Sequence, residues 1–232
     1  MDAEGLRIQF ESELAWRQDE LAFMKNQFNN IEDNKRDKYR KSMVLMLYSH
    51  FEGYTKIALQ MYLQYINDME ILLTEANANL QASALKKEFN AYDNLDKKGK
   101  IFKKDLPHED EKIHRLFRRV EFVEKFDEFR NKILKIEDDV IDTESNMWYV
   151  VLQKNLYRCG LPVDLFEEQK EAIDALVNRR NSIAHGNNRA GVSKEEYEKW
   201  ESQTYEVMGN MIRILFDCAV NKRFLATPIG DT

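Results

Sequence analysis

The chain has 232 residues, a hydrophobic content of 43%, a charged content of 33% and a net charge of −6. These values are typical of a globular protein, and they exclude a disordered chain and a protein that coats nucleic acid through bulk positive charge. Only three prolines and eight glycines are present, which leaves few residues for the turns of a sheet protein and favours helices.

Two amphipathic helices are predicted at the start of the chain. Apolar residues recur at helical spacing between Ala3 and Phe28, which predicts the first helix. After a polar break at residues 29–34, the second and longest helix is predicted from a single apolar face. The Tyr, Phe and Met residues of this face could form a platform for stacking bases, but helical spacing favours core packing or a dimer interface. The face consists of Val44, Leu47, Tyr48, Phe51, Tyr54, Ala58, Met61, Tyr62, Tyr65 and Met69.

The middle of the chain is predicted to be an inserted charged arm, at about residues 83–140. From Lys97 to Arg119, nine Lys or Arg stand against four Asp or Glu, an excess of five positive charges in an acidic chain. A solvated loop is favoured here, and an RNA-contacting patch is the alternative. A helix is predicted from Glu109 to Arg130. His108 and His114 have no partner at metal-ligand spacing, and we interpret both as surface residues.

Three more amphipathic helices are predicted in the last third of the chain. The first runs from Ser145 to Cys159. The second runs from Asp164, its predicted cap, to Ile183, and the third starts at a capping box formed by Ser193 and Glu196. Together these patterns predict a single all-α domain over residues 1–232, a bundle of four to five main helices with an inserted helical and basic arm.

The start of the chain, its apolar segments and its cysteines indicate the cellular compartment of the protein. Residues 1–7 are polar and acidic, whereas a secretion signal needs a basic end before an apolar run. No apolar segment approaches the roughly 18 uninterrupted residues of a membrane span. Cys159 and Cys218 form no CxxC pair, so we expect reduced thiols and no metal site. These features predict a cytoplasmic protein without a membrane partner.

The residues best suited to chemistry stand at the end of the helix before Gly186. Arg180 precedes His185 by five residues, with Arg179 and Asn181 alongside. Arginine offers a planar pair of donors for phosphate oxygens, and histidine exchanges a proton near cellular pH. On a continuous helix the Arg180 and His185 side chains would point roughly 140° apart. Gly186 is therefore expected to end the helix and free His185 to turn towards Arg180 or a second subunit.

A histidine and an arginine together can cleave RNA without a metal ion. The imidazole removes the proton of a ribose 2′-hydroxyl, which attacks the adjacent phosphorus while the guanidinium stabilises the developing charge. The products are a 2′,3′-cyclic phosphate and a 5′-hydroxyl. The spacing alone is weak, because roughly a quarter of chains of this composition would contain it by chance. The structural alternative is that His185 caps the helix and Arg180 pairs with Glu52 or Asp174.

Residues 180–186, Arg-Asn-Ser-Ile-Ala-His-Gly, resemble the Arg-polar-x-x-x-His signature of the HEPN superfamily. The order of the helices is also similar, from about Met43 to Phe224. In particular, the chain resembles prokaryotic ribonuclease-type HEPN proteins of toxin–antitoxin and phage-defence loci, such as the RiboL-PSP-HEPN-like proteins. The resemblance implies a helical bundle that dimerises, so that two motifs form one composite site that cleaves RNA without metal or cofactor.

The resemblance also implies roles for individual residues. Arg180 and His185 carry over as catalytic residues, and Asn181 carries over as the polar neighbour. Arg179 is a second supporting candidate, and Glu52 matches an acidic position that some members place near the site. The implied partners are RNA, a second copy of the chain, and an antitoxin or defence-system protein.

One position departs from the pattern of a particular branch. Members that are silenced by nucleotidylation carry a tyrosine two residues after the histidine, where this chain has Asn187. That route of control is therefore not implied here. Some HEPN domains bind nucleotides or dock partners without cleaving RNA, so a non-catalytic binding module is the alternative function.

Overall fold

The computed structural model describes residues 1–99, 111–186 and 190–226, in which the regular elements are helices. Two isolated β-bridges, Leu72 with Ile133 and Ala76 with Leu225, join connecting segments. The predicted all-α class is confirmed. The α-helices of these described ranges are α1 (Ala3–Gln27), α2 (Arg36–Asp68), α3 (Ala78–Ala84), α4 (Lys86–Asp93), α5 (Glu111–Glu124), α6 (Phe126–Arg130), α7 (Tyr149–Arg158), α8 (Lys170–Ala184) and α9 (Lys194–Val220).

Helices α1, α2, α8 and α9 form the central bundle, in which α2 packs against the other three. This arrangement follows from the apolar face of α2, which is buried along its length, with Tyr54 and Tyr62 fully buried. The interpretation of the tyrosine-rich stripe as core is thereby confirmed, and its aromatic rings are not available to stack on bases. Among the helices of the described residues, none has the length and apolar character needed to cross a bilayer. Cys159 and Cys218 are free and buried.

Side chains cap the starts of α1, α3 and α9, and of these the sequence predicts the capping box of α9. At α1 the carboxylate of Asp2 accepts a hydrogen bond from the backbone N–H of Gly5 at 2.7 Å. At α9 the Ser193 hydroxyl accepts from the N–H of Glu196, and the Glu196 carboxylate accepts from the N–H of Ser193. The capping box predicted for α9 is confirmed, and it fixes where the chain turns back after the candidate site.

Two other predicted helix starts are wrong. The helix predicted from Ser145 begins at Tyr149, because Glu144 and Ser145 have φ angles of 47° and 70°, which a right-handed helix excludes. The side chain predicted to cap α8, that of Asp164, makes no capping bond. A short 3-10 helix at Glu167–Gln169 stands there instead, and α8 begins at Lys170.

The described part of the arm is held together by aromatic rings. Helix α4 packs against α5, and five aromatic residues form a cluster in which neighbouring ring centroids are 5.4 to 6.4 Å apart. Further along the chain, Leu134 and Ile136 are buried in the main core. The bounds of the arm at residues 83–140 remain a prediction. The cluster consists of Phe89, Tyr92, Phe122, Phe126 and Phe129.

The prediction of a surface position for His114 is wrong. Only 5% of this residue is exposed, and its Nδ1 accepts a hydrogen bond from the N–H of Gly99 at 3.2 Å. Arg118 is also buried, and its Nε donates to the backbone oxygen of Tyr92 at 2.8 Å. Arg118 therefore stabilises the arm and is withdrawn from any RNA-contacting patch. His108 lies outside the described residues, as do residues 100–110.

Gly160 follows α7 at a position that only glycine suits. Its φ is 68°, and an added Cβ would lie 2.4 Å from the side chain of Asn77, which caps α3. We expect Gly160→Ala to lower the free energy of unfolding by about 2 to 3 kcal/mol, because strain and a clash add. Gly186→Ala is the matched control, since Gly186 has the same φ and a Cβ added there would meet no atom of the described residues within 4 Å. Urea unfolding that shows equal losses for both variants would contradict this account.

Candidate functional site

The candidate site lies where α8 ends. Gly186 has a φ of 68°, and its backbone N–H donates to the oxygen of Ile183 at 3.2 Å. The N–H of His185 donates to the oxygen of Asn181 at 2.9 Å. The prediction that Gly186 ends this helix is confirmed. One face of α8 anchors this end to the bundle through the buried side chains of Ile173, Leu176 and Val177.

The guanidinium of Arg180 is held by three neighbours. Its Nη1 donates to Oδ1 of Asn181 at 2.8 Å and to Oδ1 of Asn146 at 3.0 Å. Its Cζ lies 4.9 Å from the centroid of the Tyr48 ring, which adds a cation–π interaction. Both Nη1 protons are therefore used. No described residue accepts a hydrogen bond from the Nε–Nη2 edge. The two parallel N–H donors of this edge are suited to two oxygens of one phosphate.

Neither carboxylate that the structural alternative named forms an ion pair with Arg180. Within the described ranges, no Asp or Glu oxygen lies within 4 Å of its nitrogens. Asp174 instead accepts a hydrogen bond from the N–H of Tyr149 at 3.0 Å. Glu52 lies one turn after Tyr48 on α2 and interacts with the Tyr48 hydroxyl. The positive charge of Arg180 is therefore oriented by amide oxygens and a ring, and it remains available to an anion.

The Tyr48 hydroxyl is buried beside this cluster and accepts a hydrogen bond from the N–H of Met147 at 2.9 Å. The pKa of Tyr48 is raised to about 12, mainly by burial and also by the nearby Glu52 carboxylate, while the Met147 N–H and Arg180 act in the opposite direction. The phenol therefore stays protonated at cellular pH. The uncharged ring face is then what Arg180 contacts.

The raised pKa of Tyr48 predicts a loss of stability in alkali. A folded-state pKa above the unfolded value favours the protonated phenol in the fold, so the stabilisation is complete below pH 10 and is lost between pH 10 and about 12. We expect Tyr48→Phe to make the drop in unfolding free energy between pH ~8 and ~11 smaller by roughly 1 kcal/mol. Urea unfolding at the two pH values measures this. Tyr157→Phe, at an exposed position, is the control and should keep the wild-type drop.

His185 stands apart from the Arg180 cluster within one chain. Its side chain is exposed, and no described residue forms a hydrogen bond or an ion pair with its imidazole. It directly follows the last residue of α8 and lies five positions after Arg180, a spacing that on a regular helix corresponds to roughly 140° around the axis. His185 is the C-cap residue of α8, as the structural alternative has it, and the capping bonds are made by its backbone N–H to the oxygens of Asn181 and Ile183. A single copy of the chain thus has an Arg180 guanidinium held in a fixed orientation and a His185 imidazole that does not contact it.

Arg179 points to another part of the fold. Its Nη2 donates to the backbone oxygen of Gly191 at 2.9 Å, and its Cζ lies 6.0 Å from the ring centroid of Trp200. It therefore holds the segment that leads into α9. Asn181, by contrast, contacts Arg180 directly. Asn187 lies outside the described residues.

Two residues that contact Arg180, Tyr48 and Asn146, were not predicted from the sequence as site residues. Tyr48 was assigned only to the core, although its position four residues before Glu52 puts both on one face of α2. That spacing is a signal that could have found it. Asn146 lies in a loop where the sequence predicts a helix, and no spacing links it to Arg180.

A family model described as HEPN_MAE_28990-like HEPN matches residues 6–224 of the chain. No curated protein matches, and no solved structure matches. The matched stretch extends from α1 through α9, so it contains the Arg180 cluster and His185 together with the bundle that positions them.

Proposed function

The chain belongs to the HEPN superfamily, and we propose that it is a metal-independent endoribonuclease that acts as a homodimer. Ribonucleases and nucleotide-binding modules both occur in this superfamily. The observation that favours an RNase is the state of Arg180, whose guanidinium is fixed by Asn146 and Asn181 with its Nε–Nη2 edge open among the described residues. A prepared cation of this kind, in one motif with an exposed imidazole, suits a phosphodiester whose charge increases in the transition state.

The proposed reaction needs a base, an acid and a cation. One His185 imidazole takes the proton of the ribose 2′-hydroxyl, and the 2′-oxygen forms a bond to the adjacent phosphorus. The bond from phosphorus to the 5′-oxygen breaks, and a second imidazole gives that oxygen its proton. Arg180 binds the phosphoryl oxygens through this step. The products are a 2′,3′-cyclic phosphate and a 5′-hydroxyl, and DNA is resistant because it lacks the 2′-hydroxyl.

The requirement for two imidazoles is the reason for proposing a homodimer. Each chain supplies one His185, at the exposed C-terminal end of α8. A two-fold pairing of these helix ends would bring two imidazoles and two guanidinium groups to one cleft. The second copy of the chain is therefore the proposed partner that completes the site.

The biological setting is proposed from the resemblance of residues 180–186 to the toxin and phage-defence branch. In that setting the protein would act on RNA in the cytoplasm, and an antitoxin or defence-system protein would restrain it. Arg179 supports the site at a distance by holding the segment before α9. Glu52 supports it through Tyr48.

A non-catalytic RNA- or nucleotide-binding module is the second candidate. The observation that favours it is the separation of His185 from Arg180 within one chain, because the open edge of Arg180 can bind a phosphate without any imidazole. Such a protein would bind RNA, leave it intact and lose affinity in Arg180→Ala.

An RNA cleavage assay in excess chelator tests the proposed function. The purified chain is incubated with single-stranded RNA and EDTA, and its mass is followed by sedimentation over the same concentration range. We expect cleavage that survives chelation and rises with the fraction of dimer. A folded dimer that binds RNA and leaves it uncut would replace this proposal with the binding module.

A further inference from the structure

The loop between α6 and α7 carries local backbone strain beside the candidate site. Glu144 and Ser145 are consecutive residues in the left-handed region, with φ angles of 47° and 70°. Neither is a glycine, and residues with a side chain adopt this conformation at an energetic cost. It persists only where the surrounding structure imposes it. The next residue is Asn146, which contacts Arg180.

The contacts that impose this conformation lie on both sides of the strained pair. Before it, the fully buried Asn155 accepts a hydrogen bond from the N–H of Asp142 at 3.0 Å and donates to the oxygen of Asp142 at 2.7 Å. After it, the side chain of Met147 is fully buried, and its N–H donates to the Tyr48 hydroxyl at 2.9 Å. The path of the loop is therefore set without the side chain of Asn146.

We infer that Asn146 is a positioning residue that fixes the guanidinium of Arg180 for phosphate binding, an inference that rests on the proposed function. The two residues are 34 positions apart, so their contact ties the guanidinium to a second part of the fold. Asn181 is adjacent to Arg180 on the same helix and moves with it. Among the described residues outside α8, Asn146 and the Tyr48 ring are the ones that fix the guanidinium.

The geometry explains why an amide is present at this position. The neutral Oδ1 of Asn146 accepts one Nη1 proton and leaves the full charge of Arg180 for an anion. A carboxylate would also accept that proton, but it would compete with phosphate by neutralising the cation. With Nη1 occupied by two amide oxygens, rotation of the guanidinium is restricted and its Nε–Nη2 edge has a fixed direction. Catalysis depends on such fixed directions, since small misplacements are costly.

Asn146→Ala is the direct test of this role. We expect kcat for RNA cleavage to fall by roughly 10- to 100-fold, with a much smaller change in KM, because the cation is present but no longer directed. The thermal midpoint should remain near the wild-type value, since Asn155 and Met147 set the loop. Asn131→Ala is the matched control, because Asn131 is exposed and its side chain donates to the backbone oxygen of Asp127, four residues earlier. A wild-type kcat in Asn146→Ala overturns the inference.

A double-mutant comparison separates positioning from a general effect on the fold. If Asn146 acts through Arg180, Asn146→Ala causes no further loss of cleavage or of RNA affinity in an Arg180→Ala background. An equal loss in both backgrounds overturns the inference. The comparison can be made with RNA affinity as well as with cleavage rate.

A measurement without RNA keeps this test independent of the proposed function. The Nε–H signal of Arg180 is followed by nitrogen-15 NMR and is assigned by its absence in Arg180→Ala. We expect restricted motion in the wild type and in Asn131→Ala, and fast motion in Asn146→Ala. Equal mobility in all three overturns the positioning role. If the wild type cleaves no RNA but the signal behaves as expected, the proposed function fails while the contact that positions Arg180 stands.

Discussion

Replacing His185 with alanine is expected to lower kcat for RNA cleavage by roughly 10²- to 10⁴-fold, the range for losing a general acid–base group. In a homodimer the substitution removes both the base and the acid of the composite site. The fold should be unaffected, since this side chain is exposed and bonds to no described residue. Cleavage rate, circular dichroism and sedimentation measured on the same preparation check the three parts of this expectation.

The matched control is Glu171→Ala, at an exposed position in the first turn of the same helix. It should keep the wild-type rate. Dimers that contain one wild-type chain and one His185→Ala chain sharpen the test, because a composite site has then lost one imidazole of two. Full activity in those mixed dimers would show that each chain carries a complete site, and the two-fold arrangement would be wrong.

Arg180 is the second position where a large effect is expected. Arg180→Ala should lower kcat by roughly 10²- to 10³-fold, the typical result of removing one prearranged donor to a developing charge. Arg180→Lys should restore little, because an ammonium group lacks the planar pair of donors and does not fit the contacts with Asn146 and the Tyr48 ring. Single-turnover cleavage rates of the three proteins measure the difference.

The control for this pair is Arg130→Lys, an exposed arginine in α6. It should leave cleavage unchanged. Arg180→Ala also removes the partner of the Asn146 oxygen and of the Tyr48 ring, which predicts a loss of stability of about 1 kcal/mol. Rates are therefore compared at a temperature where unfolding is negligible. Wild-type activity in Arg180→Lys would mean that a point charge suffices and that the fixed guanidinium has no catalytic role.

The sequence predicts those parts of the fold that depend on local signals. The capping box of α9 depends on residues within one turn, and the buried stripe of α2 depends on helical spacing, so both are predicted from the sequence. The start of α7 is not, because Glu144 and Ser145 adopt a left-handed conformation that their residue types disfavour. His114 is buried because the arm folds on itself, which is a tertiary effect.

The same division holds for the candidate site. The spacing of Arg180 and His185, and the glycine that follows, identify the motif and the helix end without a structure. Asn146 contacts Arg180 across 34 positions of sequence, and nothing in either segment indicates the other. The proposed composite site depends on a second copy of the chain. Long-range contacts and assembly are therefore where the sequence is least informative.

The central claim is that the 2′-hydroxyl at the scissile bond is the nucleophile and His185 is its base. The most direct measurement compares an RNA oligonucleotide with an analogue that carries a single 2′-deoxy residue at the mapped cleavage position, both in excess chelator. We expect cleavage of the RNA to a 2′,3′-cyclic phosphate and a 5′-hydroxyl, identified by mass spectrometry, and no cleavage of the analogue at that position. Equal cleavage of the two, or products with a 5′-phosphate and a 3′-hydroxyl, would contradict it.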